Sequence, residues 1–289
     1  MSERRASIRS DRLGVQAHCL RHEIASGLEG ALERVAGLGL RAIEMMSFPG
    51  CRGQAWGDFG AATGREPRAI AAALRVAGLA CPSTMVLERE LEPGLFDATV
   101  RWVKDLDCPR LVQSSFSIAD AAGPEAWEAA FGRIEALARR VRAAGLRYVL
   151  HTPPNLWRPL DPQRAGDTQR PIDLLLRRLH PVLLQLEYDP SGPIIYGLDP
   201  AAPLRARPEA FYGLHLRDGH TPPEPLFYLA ALPLGAGGVD WPELLRAADA
   251  SAIEYGFLEM EVAEPRATFA AIESSRRYLA EHGLLAAAS

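Results

Sequence analysis

Residues 123–152 read GPEAWEAAFGRIEALARRVRAAGLRYVLHT, and this stretch carries the unit from which the fold is built. Trp127, Phe131, Ile134, Leu137 and Val141 recur at three- and four-residue spacing, so they line one face of a helix. Gly123-Pro124-Glu125 is a helix start, because proline's missing N–H costs nothing in the first turn. Gly145 is a helix stop, since glycine takes the left-handed conformation of a helix end without a Cβ clash. The pattern then changes. Arg147–Thr152 is a short, nearly continuous apolar run, as expected for a strand covered on both faces.

Outward from this unit the alternation recurs. The other strand candidates are Leu13–Leu20, Ala42–Ser47, Leu79–Met85, Arg110–Phe116, Val182–Asp189, Phe211–Arg217 and Tyr255–Val262. Helical faces lie between them, such as Leu28, Leu32 and Val35, or Phe269, Ile272 and Leu279. Eight β-then-α units at roughly 30–40 residue spacing, with no linker, predict an α/β fold, a single (β/α)8 TIM barrel over residues 13–289. Residues 1–12 read as a polar, basic N-terminal tail. The competing arrangement, a doubly wound sheet, normally carries a G-x-G-x-x-G turn after its first strand, and none is present there. The weakest helix lies between Val182–Asp189 and Phe211–Arg217, where Pro200, Pro203 and Pro208 crowd together.

Composition narrows the chemistry. A chain of 289 residues with 48% hydrophobic side chains can fill one large core. Its net charge of −4 argues against a nucleic-acid partner. No apolar run is long enough to span a membrane, and no signal segment is legible, so a cytoplasmic protein is expected. Cys19, Cys51, Cys81 and Cys108 are well separated and read as reduced thiols. Of 32 lysines and arginines, only Lys104 is a lysine. It falls in the helical segment Leu95–Asp107, away from any barrel mouth, which sets aside Schiff-base chemistry.

In such a barrel, function gathers at the C-terminal ends of the strands. The polar residues there are His18, Glu44, Gln113, His151, Glu187-Tyr188-Asp189, His215-Leu216-Arg217-Asp218 and Glu259-Met260-Glu261. Buried carboxylates and imidazoles are costly unless paired or bound to a cation. His151, Asp189, His215 and Glu259 come one from each of four consecutive strands and share one arc of the mouth. Two imidazoles and two carboxylates suit Mn²⁺, Zn²⁺, Fe²⁺ or Co²⁺ better than Ca²⁺. The alternative for each is a strand-end residue that bonds to backbone.

Arg217 shares the parity of His215 and is expected to meet a substrate hydroxyl or carboxylate, while Asp218 supports the ligands from behind. Glu261 shares the parity of Glu259 and is placed in the same supporting role. His18, Glu44 and Gln113 are expected near the substrate. Trp157, in the loop Thr152–Pro162, reads as an apolar wall over the substrate or as loop packing. The Gly235–Gly238 stretch offers backbone N–H groups to an anion, but Asp240 reads as the cap of the next helix. An unphosphorylated substrate is therefore expected.

These segments, in this order, resemble the xylose-isomerase-like barrel family, which includes sugar-phosphate isomerases and epimerases. The resemblance spans Leu13 to about Leu279. It rests on Leu13-Gly14-Val15-Gln16, Gly39-Leu40-Arg41-Ala42-Ile43-Glu44, Leu186-Glu187-Tyr188-Asp189 with Gly197-Leu198-Asp199-Pro200, and Leu214-His215-Leu216-Arg217-Asp218. Leu234-Gly235-Ala236-Gly237-Gly238-Val239-Asp240-Trp241 and Phe257-Leu258-Glu259-Met260-Glu261 complete it. The family holds a divalent metal through a strand-five Glu, a strand-six Asp, a strand-seven His and a strand-eight Glu. These positions fall on His151, Asp189, His215 and Glu259. Mn²⁺ is the first candidate ion, with Zn²⁺, Co²⁺, Fe²⁺ or Mg²⁺ as alternatives.

The departure is His151, where the family has glutamate, and Thr152–Trp157 supplies no replacement. In the family two glutamates flank the substrate; here that pair is His151 and Glu259. An imidazole whose lone pair is on a metal is no base. Either His151 is a ligand and the two-base mechanism is lost, or it is a free base over a three-ligand ion. The resemblance implies a metal-dependent isomerase or epimerase acting on a sugar-like small molecule through an enediolate, with Glu259 or His151 moving the proton. A metal-dependent lyase on a 3-oxo-glycoside and a non-catalytic barrel serving as a binding or partner subunit are the alternatives. Homo-oligomers are common in the family.

Overall fold

A computed structural model describes residues 8–46, 65–119, 122–161, 164, 166–223, 231–260 and 267–287. Eight parallel strands close into a barrel. They are β1 Leu13–Gln16, β2 Ala42–Met46, β3 Thr84–Val86, β4 Arg110–Gln113, β5 Arg147–His151, β6 Gln185–Tyr188, β7 Phe211–Leu216 and β8 Tyr255–Leu258. Each pairs with the next, and β8 returns to β1 through Gly14 opposite Phe257. The helices that follow them are α1 Leu28–Gly37, α2 Pro67–Val76, α3 Phe96–Asp105, α4 Pro124–Ala143, α5 Pro171–Arg178, α6 Ala202–Ala206, α7 Trp241–Asp249 and α8 Thr268–Glu281. The expected TIM barrel is what the chain forms.

The apolar periodicity explains the layers. All five residues of β2 and all six of β7 are buried, as strands sandwiched between a filled interior and covering helices must be. In α4, Trp127, Phe131, Ile134 and Val141 are buried, and Trp127 meets Phe116 edge-on at 5.7 Å. Leu137 is only partly buried at the margin of the same face. Gly145 ends the turn after α4 with a φ of +84°, which a side chain would resist. Inside the barrel, Met46, Met85, Val112, Val149 and Tyr212 form an apolar plug across β2–β5 and β7.

The strands are shorter than the sequence pattern suggests, and at three of them the local reason is visible. β3 begins at Thr84 rather than Leu79, because Pro82 has no N–H for the ladder; Ala80 keeps one bridge to Ala42. β6 begins at Gln185, since residues 181–183 form a turn that leaves Val182 67% exposed. β1 ends at Gln16, whose side chain accepts from His18 N and turns the chain into the short helix Ala17–Leu20. The proline-crowded sixth unit carries only the one-turn helix Ser191–Ile195 and the five-residue α6.

Ile8–Arg9 pairs in parallel with Leu285–Ala286, apart from the barrel. Lys104 places its amine beside Gly145, at the entry to β5 and so at the barrel end opposite the strand C-termini. Cys19, Cys81 and Cys108 are free thiols, and Cys51 lies outside the described residues. Among the described residues, no helix is long and apolar enough to cross a membrane.

Candidate metal centre

Four consecutive strands bring the four expected ligands together. His151 ends β5, Asp189 follows β6, His215 lies in β7 and Glu259 follows β8. Asp189 is anchored from both sides: its N–H donates to Thr152 Oγ1 at 2.9 Å, and its Oδ1 accepts from Ser191 N at 2.8 Å. That leaves Oδ2 facing His151 Nε2 at 3.6 Å. His151 Nδ1 lies 3.0 Å from the Ser114 carbonyl. A carbonyl only accepts, so a proton sits on Nδ1, and Nε2 faces Asp189. The His151 and His215 rings stand 5.0 Å apart.

His215 Nδ1 lies 2.8 Å from Glu259 Oε2, but without hydrogen-bond geometry. His151 Nε2, His215 Nδ1 and Glu259 Oε2 are all buried and lack hydrogen-bond partners. Orphaned buried polar atoms are expensive and rare. His151 Nε2, Asp189 Oδ2 and His215 form one compact group able to hold a cation, with Glu259 against His215. The donor set of imidazole nitrogen and carboxylate oxygen fits a divalent transition ion.

Arg217 sets the charge of this layer. Its Nη1 lies 3.1 Å from Glu259 Oε1 and 3.9 Å from Asp189 Oδ2. Burial works to raise the Glu259 carboxyl, but Arg217 and His215 outweigh it and hold it well below the usual range. Burial likewise opposes ionisation of Asp189, and the His151 contact and Arg217 together still bring it down.

A second layer lies beneath. His215 Nε2 is 3.0 Å from Glu44 Oε2 and 3.2 Å from Glu187 Oε2. Glu44 Oε1 accepts from Ser83 Oγ at 2.8 Å. Glu44, Glu187, Ser83 and His215 are sealed from solvent. Burial, reinforced by the neighbouring Glu187 charge, pushes the Glu44 carboxyl up to about 8. Burial pulls His215 down, yet the charges of Glu187 and Glu259 raise it well above an ordinary imidazole.

The remaining expected site residues fall in different places. Glu44 is buried against His215 instead of lining the opening. The Gln113 amide is occupied by protein: Tyr148 OH donates to Oε1, and Nε2 donates to Ser115 O at 2.8 Å. His18 is half-buried in the turn after β1, with its carbonyl accepting from Arg21 at 3.0 Å. Trp157 is buried edge-on to Tyr188 at 6.0 Å, with its indole pressed on Gly192.

Asp218 turns to the loop beyond β7. It accepts from Gly219 N, Gly235 N, Val239 N and Trp241 Nε1 at 2.8, 2.8, 3.2 and 2.9 Å. Glu261 lies outside the described residues. Ser83 is a site-layer residue that the sequence reading leaves out, and Glu187 is one that it places at a strand end without assigning it a role. Parity offers a signal for Glu187, which stands two residues before Asp189 and so points the same way.

No protein-family profile matches the chain, and no curated protein matches it. Solved structures do. A sugar phosphate isomerase/epimerase from Parabacteroides distasonis aligns over 96% of this chain and 95% of its own, with a TM-score of 0.76 at 17% identity. An L-ribulose 3-epimerase aligns over 93% of each chain, with a TM-score of 0.64 at 13% identity. A probable 3-DHS dehydratase of petrobactin synthesis from Bacillus anthracis aligns over 93% of this chain and 98% of its own, with a TM-score of 0.62 at 12% identity. At such identities the likeness establishes the fold, a TIM barrel, which this chain shares with xylose-isomerase-like proteins.

Proposed function

We propose that this chain is a divalent-metal-dependent enzyme that moves a proton next to the carbonyl of a sugar or related polyhydroxy compound, an isomerase-type reaction. The observation that carries this reading is the convergence of His151 Nε2, His215 Nδ1 and Glu259 Oε2, buried and unpartnered, beside Asp189 Oδ2. The substrate class is supported by the solved structures that share the fold, among them a sugar phosphate isomerase/epimerase and an L-ribulose 3-epimerase. Asp240 caps α7, its Oδ1 accepting from Glu243 N at 3.0 Å, which disfavours an anion at that helix start and supports an unphosphorylated substrate.

His151, Asp189, His215 and Glu259 would hold the ion. A bound divalent ion supplies a Lewis acid for the substrate's carbonyl and neighbouring hydroxyl. Glu259 is the proton acceptor. Arg217 keeps it ionised at neutral pH but also weakens it as a base. A substrate oxygen that takes a hydrogen bond from Arg217 loosens that pairing and raises the proton affinity of Glu259 where the proton is transferred.

With its Nε2 in the ligand group, His151 is not a base. Glu259 alone then serves one face of the substrate. One face suffices for aldose–ketose isomerisation, whereas epimerisation needs a base on each side. The same observation favours a second reading, a lyase that eliminates from an oxidised (3-oxo) glycoside, because elimination also needs one base. Incubation of the Mn²⁺-loaded protein with aldoses, ketoses and 3-oxo-glycosides in D2O separates the two. Deuterium at the carbon next to the carbonyl without cleavage supports isomerisation, and release of the aglycone supports the lyase. Absence of both from metal-loaded protein contradicts catalysis on these substrates.

A further inference from the structure

Two clusters able to hold a cation share one imidazole: His151, Asp189 and His215 at the strand ends, and Glu44, Glu187 and His215 beneath them. The same nitrogen cannot serve both, so the two nitrogens of His215 must have different duties. We infer that Glu44, braced by Ser83, is a positioning residue that keeps a proton on His215 Nε2 and so reserves Nδ1 for the ion at the mouth; the inner cluster holds a proton, not a second metal.

The geometry divides the ring cleanly. Nε2 makes a hydrogen bond with Glu44 Oε2 at 3.0 Å, while Nδ1, on the other side, is buried with no hydrogen bond. Nε2 faces two carboxyl oxygens, Glu44 Oε2 at 3.0 Å and Glu187 Oε2 at 3.2 Å, and a hydrogen on Nε2 meets an acceptor on both sides, with Glu44 in the hydrogen bond. Glu44 is itself immobilised: Ser83 Oγ donates to its other oxygen at 2.8 Å, and both side chains are wholly buried. Glu187 flanks the same Nε2 at 3.2 Å, and its own oxygens have no hydrogen-bond partner. It adds negative charge beside the N–H without competing for it. His151 is built on the same plan, its Nδ1 tied to the Ser114 carbonyl and its Nε2 left for the ion. A partner on the far nitrogen of a ligating histidine fixes the tautomer and ring orientation, and its loss costs roughly 10–100-fold in metal affinity.

This inference rests on the metal reading above, and the test separates their failures. Long-range 15N–1H correlation spectra of the wild-type chain, with and without Zn²⁺, report which His215 nitrogen carries a proton. Zn²⁺ affinity is measured in parallel by competition with a fluorescent chelator, for the wild type, Glu44→Leu and Glu44→Gln. The expected result is a slowly exchanging His215 Nε2–H in both states, with Nδ1 as the Zn²⁺-bound nitrogen. Glu44→Leu should lose roughly 10–100-fold in Zn²⁺ affinity, and Glu44→Gln, which keeps an acceptor, should recover most of it. A proton on Nδ1 with Zn²⁺ on Nε2, or unchanged affinity in Glu44→Leu, overturns the inference. If the wild type binds no Zn²⁺, the metal reading fails, and the metal-free spectrum still decides the proton: an Nε2–H lost in Glu44→Leu supports the role of Glu44, and an unprotonated Nε2 overturns it.

Discussion

His215 and Glu259 face each other at 2.8 Å, Nδ1 to Oε2, and yet form no hydrogen bond. Two buried ligating atoms held this close outside hydrogen-bond geometry are arranged for a third body. Glu259→Gln keeps the shape and removes the charge. It should weaken Mn²⁺ binding by on the order of 100-fold or more, beyond the loss of an outer partner. Isothermal titration of Mn²⁺ into the metal-free variant checks this; wild-type affinity would remove Glu259 from the ligand set.

The charges beneath the mouth make the metal-free protein sensitive to pH. The Glu44 carboxyl is raised from 4.5 to about 8 by burial and by Glu187. Its stabilising contribution is therefore full below pH 4.5 and is lost as pH rises to about 8. His215 is also raised, well above 6.5, so its contribution is full below pH 6.5 and fades at higher pH. Asp189 and Glu259 run the other way, contributing above 3.8 and 4.5 and losing that contribution toward acid. Urea midpoints of metal-free protein should fall from about pH 5 to about pH 9, and Glu44→Gln should flatten the decline. A midpoint that climbs over this range runs against the assigned shifts.

Asp218 should matter for stability and not for metal. It is wholly buried and collects four donors from residues 219–241. Asp218→Asn turns an amide NH2 toward two of them, at a cost of about 3 kcal/mol. Urea denaturation should show that loss while Mn²⁺ affinity stays at the wild-type value. A variant with normal stability and impaired metal binding would reverse the assignment.

Trp157 and Gly192 are matched. A Cβ on Gly192 would sit 2.1 Å from Trp157 Cδ1, too close for any side chain. Gly192→Ala should therefore cost about 1–3 kcal/mol through overpacking. Combining it with Trp157→Leu should give a double variant more stable than the sum of the singles predicts. Strict additivity would show that the two residues do not press on each other.

Much of this molecule is legible in the chain. The run from Gly123 to Thr152 declares helix, stop and strand because its periods differ, and seven more units repeat it. His151, Asp189, His215 and Glu259 stand out because strand ends in a barrel converge wherever the loops go. Chain order does not show depth. Glu44 and Glu187 look like mouth or spacer residues in sequence, and only the closed sheet places them under His215. Trp157 sits in a proline-rich loop and reads equally as a substrate wall or as loop packing until Gly192 and Tyr188 are seen packed against it. Pro82 shortens β3 by withholding one N–H, a local effect that an apolar run conceals.

The most direct test is the metal content of the protein purified without chelator and then dialysed against Mn²⁺, measured by inductively coupled plasma mass spectrometry beside Asp189→Ala. About one ion per chain is expected in the wild type, and none retained in Asp189→Ala. A wild type that retains no Mn²⁺, Co²⁺ or Zn²⁺, or an Asp189→Ala variant that retains as much as the wild type, would contradict a metal centre at these strand ends.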